Sequence, residues 1–258
     1  MLRVFTIILL LFYFAKGQTC RIDNINFPDG ETLEYEVYYD WGPIWVNAAR
    51  TSFSVKRTEI GKRPVFHFLG EGSTHKNYDW FFKVRDTFQC WADTHSLKPI
   101  HYIRKSREGG TAVYNDNYFS YDKKQVIFYK LEKKKLKRDS VKLKDCTFDV
   151  LSMVYYARTI NYSNYKVGSK IPISLYLDGE INDTLYIRYL GEEKIKTALG
   201  EKKCIVFSPL LIKGTIFSGG ETMKVWVTND DKKIPVFIQT PIIVGNIQVK
   251  IKSVTIKK

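Results

Sequence analysis

Residues 145–160, DCTFDVLSMVYYARTI, are the one segment of this chain whose composition and spacing indicate an α-helix. Leucine, methionine and alanine favour helix here, and Asp145 or Thr147 could accept hydrogen bonds from the first free backbone N–H groups. Apolar side chains occur on every side of this helix, so the rest of the protein must cover it. We therefore expect a central helix over about residues 147–160, too short to cross a bilayer.

The rest of the chain alternates apolar and polar residues over short segments that turns separate. In the first such segment Leu33, Tyr35 and Val37 alternate with polar residues, which is the period of a strand with one buried face. The connections are too short for crossovers and therefore favour antiparallel pairing. We predict a mainly β fold, namely a large curved antiparallel sheet or open barrel of about twelve strands around the central helix.

The N-terminal segment MLRVFTIILLLFYFAKGQ predicts an export signal. Arg3 supplies the positive start, residues 4–14 form an apolar run, and Ala-Lys-Gly at 15–17 is a small-x-small cleavage site. An uncleaved anchor would need a longer apolar run. We expect residues 1–17 to be removed as a signal peptide, and residues 18–258 to form a single β-rich domain because no linker composition interrupts them.

The chain is strongly basic. Its formal net charge is +14, and loss of Arg3 and Lys16 with the signal peptide leaves +12. No other apolar run has the length of a membrane helix, so we expect a periplasmic or secreted protein, with outer-membrane association as a further option. Export removes the protein from nucleic acid, so the charge favours an anionic envelope lipid or glycan as partner. The oligomeric state is not indicated.

An even number of cysteines in an oxidising compartment favours disulfide formation. Cys20, Cys90, Cys146 and Cys204 permit three full pairings. We expect Cys20 to pair with Cys146, because that bridge would tie the N-terminal arm to the start of the helix. Cys90 and Cys204 lie within predicted strands and are expected as buried thiols.

Residues 123–144 carry ten lysines and arginines, so one predicted hairpin is strongly positive. Lysines on an edge strand prevent sheet-to-sheet aggregation, and this is the interpretation that we favour. The alternative is a surface that docks on an anionic envelope component.

The sequence shows no catalytic constellation. The four histidines lie close together in the chain, but no pair has the spacing of metal ligands, and we expect neither a metal nor a cofactor. They are His67, His75, His95 and His101. Nucleophile and phosphate-loop motifs are also missing, since KGTIFSGG at 213–220 lacks a following helix. If the protein is an enzyme, we expect a hydrolase of envelope glycan or lipid that draws its carboxylates from Asp79, Asp86 and Asp93.

Aromatic residues occur in pairs near predicted turns. Trp41 and Trp45 flank one turn, and Tyr78 and Trp80 lie in another. Such rings stack on sugars or line apolar cavities, and ligand contacts concentrate at loops. We predict these four residues as ligand-binding, with packing in the core as the alternative.

Some charged residues lie within apolar segments. Arg85 and Asp86 interrupt an apolar strand, while Asp149 and Arg158 mark the two ends of the apolar helix. A buried charge needs a partner. We therefore predict a structural clamp in which Asp86 or Asp149 pairs with Arg158 or Arg85.

Five ordered motifs resemble one bacterial family. They are GETLEY at 30–35, YDWFFKVRD at 78–86, FDVLSMVYYAR at 148–158, LGEEKIKTALG at 190–200 and VWVTNDDKKIP at 225–235. With Val244-Gly245 they resemble the domain-of-unknown-function 3108 family from about residue 24 to 252. The chain departs from it at residues 47–49, Asn-Ala-Ala, where members often carry a glycine.

This resemblance implies an exported bacterial protein of the periplasm or outer envelope, with a mostly antiparallel β fold and no established activity. A more distant resemblance, carried by VWVTNDDKKIPVFI, is to half-barrel carriers that escort lipoproteins across the periplasm. We predict a non-enzymatic envelope protein that binds a lipid, glycan or protein partner, and keep the hydrolase as the alternative.

Overall fold

The computed structural model describes residues 22–80, 82–132, 135–213 and 219–257, which form fifteen strands, one α-helix and two short 3-10 turns. The helix, α1, is Val150–Thr159. The strands are β1 Glu31–Trp41, β2 Ile44–Ile60, β3 Arg63–Thr74, β4 Val84–Asp93, β5 Pro99–Glu108, β6 Thr111–Ser120, β7 Gln125–Glu132, β8 Lys135–Lys142, β9 Thr147–Phe148, β10 Lys170–Leu177, β11 Glu180–Thr197, β12 Gly200–Pro209, β13 Lys224–Thr228, β14 Pro235–Pro241 and β15 Asn246–Ile256.

All fifteen strands belong to one sheet, in the order β8-β7-β6-β5-β4-β3-β2-β1-β15-β14-β13-β12-β11-β10-β9. Neighbouring strands are antiparallel except β9 and β10, which are parallel. The predicted mainly β fold, a large curved antiparallel sheet with one helix, is confirmed. The sheet has fifteen strands where about twelve were predicted.

The sheet is open, and it curls until the strands near its two lateral edges contact each other. Tyr176 of β10 donates its hydroxyl to Asn117 Oδ1 of β6 at 2.6 Å. Asp178, in the turn between β10 and β11, accepts hydrogen bonds from Arg104 of β5 and Asn115 of β6. We call this line of contacts the seam. Within the described residues, side chains rather than a backbone ladder make it.

Helix α1 fills the interior of the curl, as predicted. Tyr155 of the helix and Phe148 of β9, just before it, are each 1% exposed, and Tyr155 stacks on Phe68 of β3 with 3.8 Å between ring centroids. Burial of a large apolar side chain stabilises a fold by roughly 1.5–3 kcal/mol. The helix and the curved sheet therefore stabilise each other.

The helix begins at a different cap from the one predicted. Asp149 Oδ1 accepts hydrogen bonds from the backbone N–H groups of Leu151 and Ser152, and the Ser152 hydroxyl accepts one from the backbone N–H of Asp149. The predicted cap at Asp145 or Thr147 is wrong, because Thr147 belongs to strand β9 and extended backbone precedes the helix.

The basic hairpin lies at the edge of the sheet. β8 is the terminal strand, and its side chains are almost all exposed. The edge-strand interpretation of residues 123–144 is therefore confirmed in its placement. Charged side chains on such a strand discourage pairing with another sheet.

Two cysteines behave as expected. Cys90 and Cys204 are free, buried thiols. Cys146 is disulfide-bonded, while Cys20 lies outside the described residues, so the pairing of Cys20 with Cys146 stays a prediction. The signal peptide at 1–17 and most of the KGTIFSGG segment also lie outside them. Within the described ranges no helix combines the length and apolarity needed to span a membrane.

Candidate functional site

Two hairpin turns lie side by side at one end of the sheet. Asp40, near the end of β1, pairs with Trp45 of β2 and with Asn246 of β15. The β1–β2 turn therefore neighbours the β14–β15 turn. Gly245 shows how closely they approach, because a Cβ there would lie 2.3 Å from the carbonyl oxygen of Asp40. Its φ of 83° is also in the left-handed region that favours glycine.

Three further turns lie at the same end of the strands. Ala49 pairs with Thr74, which places the β3–β4 connection beside the start of β2. Val84 pairs with Glu108, so the β5–β6 turn comes next. Antiparallel pairing continues through β6, β7 and β8, and it brings the β7–β8 turn to this end as well.

Most of the large apolar side chains that are exposed lie in or beside these five turns. Among the described residues, nine of the thirteen large hydrophobic side chains that are exposed lie here. We call this set the apolar rim. It consists of Trp41, Ile44, Trp45, Trp80, Phe82, Leu131, Leu136, Ile243 and Val244. A monomeric protein rarely collects exposed apolar groups in this way unless they contact a partner or a membrane.

A lysine and a tyrosine hold one tryptophan of the rim in place. Trp45 stacks on Tyr38 with 5.3 Å between ring centroids, and Lys250 Nζ lies 4.9 Å from both rings. The Tyr38 hydroxyl donates to Glu36 at 2.8 Å, and this hydrogen bond lowers the pKa of Glu36. Trp45 is thus ordered yet still 49% exposed.

The structure brings three of the four predicted ligand-binding residues to the rim. Trp41 is 55% exposed, and Trp80 is 84% exposed in the β3–β4 connection. Tyr78 is half-buried in the short 3-10 turn before Trp80. Their role in binding stays a prediction. The aliphatic members of the rim were missed, because only the strand register shows that their turns meet.

The predicted clamp is wrong in its pairing. Arg158 donates to Glu31 through Nη1 at 2.7 Å and Nη2 at 3.1 Å, and both side chains are 1% exposed. Arg85 pairs instead with Asp79 at 2.7 Å. The reason is topological, since β1 begins beside the C-terminal end of α1 and brings Glu31 to it.

The two aspartates of that prediction have other partners. Asp149, at the start of the helix, also accepts a hydrogen bond from Cys90 Sγ at 3.0 Å. Burial raises the pKa of Asp149, against the effect of its hydrogen bonds from Cys90 and Ser152. Burial likewise raises the pKa of Asp86, which accepts a 2.6 Å hydrogen bond from Ser106.

The carboxylates of the hydrolase alternative do not converge. Asp93 caps the β4–β5 turn through Ser96 and pairs with Arg63 at 2.9 Å. Asp86 and Asp93 are seven residues apart on β4, which at about 3.3 Å per residue separates them by roughly 23 Å. Glycosidase carboxylates lie within about 10 Å of each other. Asp79 is paired with Arg85 at the other end of the strand.

Two of the four histidines, His67 and His101, contribute to packing on the outer face. His67, Trp91, His101 and Tyr118, one from each of β3 to β6, stack in a row with ring centroids 4.5, 4.9 and 4.4 Å apart. His101 Nε2 lies 2.6 Å from Asp116. Burial lowers the pKa of His67. In the described part of the chain, no group of three or more histidine, cysteine, aspartate or glutamate side chains is arranged to hold a metal.

No curated protein matches this chain. Among solved structures, it is similar to the β-barrel-like protein of domain of unknown function DUF1849 from Brucella abortus, at 8% identity and a TM-score of 0.56, over 92% of this chain and 100% of that one. The two therefore share a fold.

The chain also matches a Bacteroides fragilis NCTC 9343 protein, named as exported and with a YmcC-like fold, at 12% identity over 90% of this chain and 99% of that one. The TM-score of 0.34 is too low to carry a conclusion. The open curved sheet agrees with the distant resemblance to half-barrel carriers. The profile of the DUF3108 family, proteins of unknown function, matches residues 34–252, and this chain belongs to that family.

Proposed function

We propose that this protein is exported, has no enzymatic activity, and binds an anionic lipid surface of the cell envelope through its apolar rim. The observation that carries the proposal is the concentration of exposed tryptophan, isoleucine, leucine and valine side chains in the turns at one end of the sheet. The export signal predicted for residues 1–17 supports this location.

Turn tips are suited to shallow insertion into a bilayer. Their side chains project furthest from the sheet, and tryptophan prefers the interface because its ring is apolar with one polar N–H. Each large apolar side chain that leaves water completely contributes roughly 1.5–3 kcal/mol. Several side chains inserted together, each only in part, would therefore support reversible binding.

The charge of the protein favours an anionic surface. The net charge is +14, or +12 once residues 1–17 are removed, and the basic hairpin of β7 and β8 reaches the rim at Leu131 and Leu136. Basic residues near an anionic leaflet contribute about 1 kcal/mol each. A glycan is a less favourable partner. Sugars stack on open faces of aromatic rings, whereas the Trp45 ring is already in contact with Tyr38 and Lys250.

Vesicle sedimentation tests the proposal. We expect the protein, purified after export, to sediment with phosphatidylglycerol vesicles and to remain in solution with neutral phosphatidylcholine vesicles. Trp41→Ser/Ile243→Ser should weaken binding by about tenfold or more, equivalent to about 1.4 kcal/mol.

The matched control replaces exposed apolar residues away from the rim, in Ile60→Ser/Val167→Ser, and should bind as the wild type does. Equal loss in both double variants, or no loss in either, would contradict binding through the rim.

A further inference from the structure

A polar groove of about 600 Å³ crosses the outer face of β1 to β6, directly behind the rim. Most of its side chains alternate along each strand with those of the core. On β4, Arg85, Asp86 and Thr87 line the groove, whereas Phe88 and Cys90 pack against the interior. The volume lies in the range of roughly 300–1,000 Å³ that small-molecule sites occupy.

The row of the groove nearest the rim is cationic. Arg50 of β2, Arg85 of β4 and Arg107 of β5 share one cross-strand row with Ser73 of β3. Arg85 and Arg107 are direct partners, and like charges so placed cost roughly 0.2–1 kcal/mol. Asp79 neutralises Arg85.

In the part of the chain that the structure describes, the other two arginines of this row make no ion pair, although Glu36 of β1, which is held by Tyr38 and Lys252, is the direct cross-strand partner of Arg50. Arg50 donates only to Ser73 Oγ, at 3.4 Å. Across the described residues, no carboxylate lies within ion-pair distance of Arg50 or Arg107. An unfavourable charge arrangement at the wall of a groove is explained if an anion binds there. Guanidinium groups match the geometry of phosphate oxygens with paired N–H donors.

The next row, further from the rim, has a different character. It contains Glu34, Ser52, Glu71, Thr87, Lys105 and Tyr114 on successive strands. Hydroxyl and carboxylate side chains of this kind exchange hydrogen bonds with the hydroxyl groups of a ligand. The groove therefore has arginines beside the rim and, behind them, hydroxyl and carboxylate groups with Lys105 as the one cation of that row.

We propose that this groove binds a phosphorylated polyol or sugar, with the phosphate at Arg50 and Arg107 and the hydroxyl groups towards Glu71 and Thr87. A polyol phospholipid presents its groups in the same order, phosphate nearest the bilayer and polyol beyond it. The proposal rests on the proposed function only for the source of the ligand, since a free phosphorylated polyol fits the same groups.

Calorimetric titration with soluble glycerophosphoglycerol tests the groove by itself. We expect saturable binding that Arg50→Gln/Arg107→Gln weakens by about tenfold or more, with no loss of thermal stability, because both side chains are exposed and Arg107→Gln relieves the repulsion from Arg85. Lys194→Gln/Lys196→Gln makes the same change of charge at the opposite end of the sheet and should bind as the wild type does. No saturable binding, or equal weakening of binding in both double variants, would contradict the proposal that the groove binds a phosphorylated polyol.

Vesicles of equal charge identify the source of the ligand. Tighter binding to phosphatidylglycerol than to phosphatidylserine, lost in Arg50→Gln/Arg107→Gln, supports a lipid headgroup. Equal binding to both vesicles, with glycerophosphoglycerol still held by the groove, supports a free phosphorylated polyol. If Trp41→Ser/Ile243→Ser leaves vesicle binding unchanged while glycerophosphoglycerol binds, the proposed function fails and the groove stands.

Discussion

The two ends of the sheet treat charge and apolar surface in opposite ways. Where β1 begins, Glu31 and Arg158 are charged and yet 1% exposed. Where β1 ends, Trp41 is apolar and 55% exposed. At the first end, removing two charges from water costs free energy, and the resulting ion pair joins distant parts of the chain. The second leaves apolar surface in water, where it contributes nothing to folding, and this is the surface that we propose binds a lipid bilayer.

The buried end is a meeting point of several elements. The guanidinium of Arg158 lies 4.8 Å from the ring centroid of Phe27 and 5.5 Å from that of Tyr155, and it also donates to the carbonyl oxygen of Lys232 at 3.0 Å. One side chain thereby connects α1, the segment before β1 and the β13–β14 turn. The rim has no comparable requirement, because its turns are already positioned by their strands.

Removal of the buried carboxylate should have the largest effect. Glu31→Gln leaves Arg158 buried without its counter-charge, so we expect the free energy of unfolding in urea to fall by about 3 kcal/mol. Glu31→Gln/Arg158→Met should recover part of this loss, since no unpaired charge remains. If Glu31→Gln left the free energy of unfolding almost unchanged, the buried ion pair would not stabilise its end of the sheet, and the contrast with the rim would be lost.

Glycine substitutions in the rim turns should have the next largest effect. Gly245→Ala forces a left-handed alanine whose Cβ meets the Asp40 carbonyl, and we expect a loss of about 2 kcal/mol. Gly42→Ala has a φ of 56° but open space around its Cβ, so about 1 kcal/mol is expected. Urea denaturation measures both. Equal losses of stability in the two variants would mean that the close approach of Gly245 to the Asp40 carbonyl does not matter for stability.

Asp93, in a turn at the buried end, predicts a modest dependence on pH. Burial alone would raise its pKa, but hydrogen bonds from Arg63, Ser96 and the backbone lower it to about 2. A carboxyl whose pKa is lowered by folding stabilises the protein above its unfolded pKa near 4, and this stability is lost as pH falls towards 2.

We therefore expect Asp93→Asn to lose about 1 kcal/mol at neutral pH, a small value because Arg63 is 54% exposed and water screens the pair. The difference from wild type should vanish near pH 2 in thermal denaturation. A difference that persists there would assign the effect to the turn rather than to the charge.

The smallest effect on stability is expected at the rim. Trp41→Ser should change the free energy of unfolding by no more than about 0.5 kcal/mol, because the side chain is mostly in solvent. The Trp41→Ser variant should also bind phosphatidylglycerol vesicles more weakly than the wild type does. A large loss of stability would place Trp41 in the fold instead of at a binding surface.

Much of the fold is contained in local sequence patterns. Alternation over Leu33, Tyr35 and Val37 indicates a strand wherever it lies in a sheet, and the all-round apolar helix requires a cover. The partner of Arg158 could not be found in this way, because Glu31 is 127 residues away and only the sheet order brings them together.

The candidate site divides in the same manner. The tryptophans were recognisable near their turns, since turns are seldom buried. Their proximity to Ile243 and Val244 depends on the pairing of β1 with β15, which joins the two ends of the chain. The row from His67 to Tyr118 is likewise visible only once four strands are in register.

The seam, where the two lateral edges of the sheet meet, has a mechanical consequence. Among the described residues, Tyr176, Asp178 and the ion pair of Lys144 with Asp183 are links across it, and Lys130 adds a hydrogen bond to the Asp178 carbonyl oxygen. Separating these side chains would leave every backbone ladder intact. Residues 143–146 also connect β8 to β9, the two edge strands, so the edges of the sheet are held together by a four-residue segment of backbone as well as by side chains.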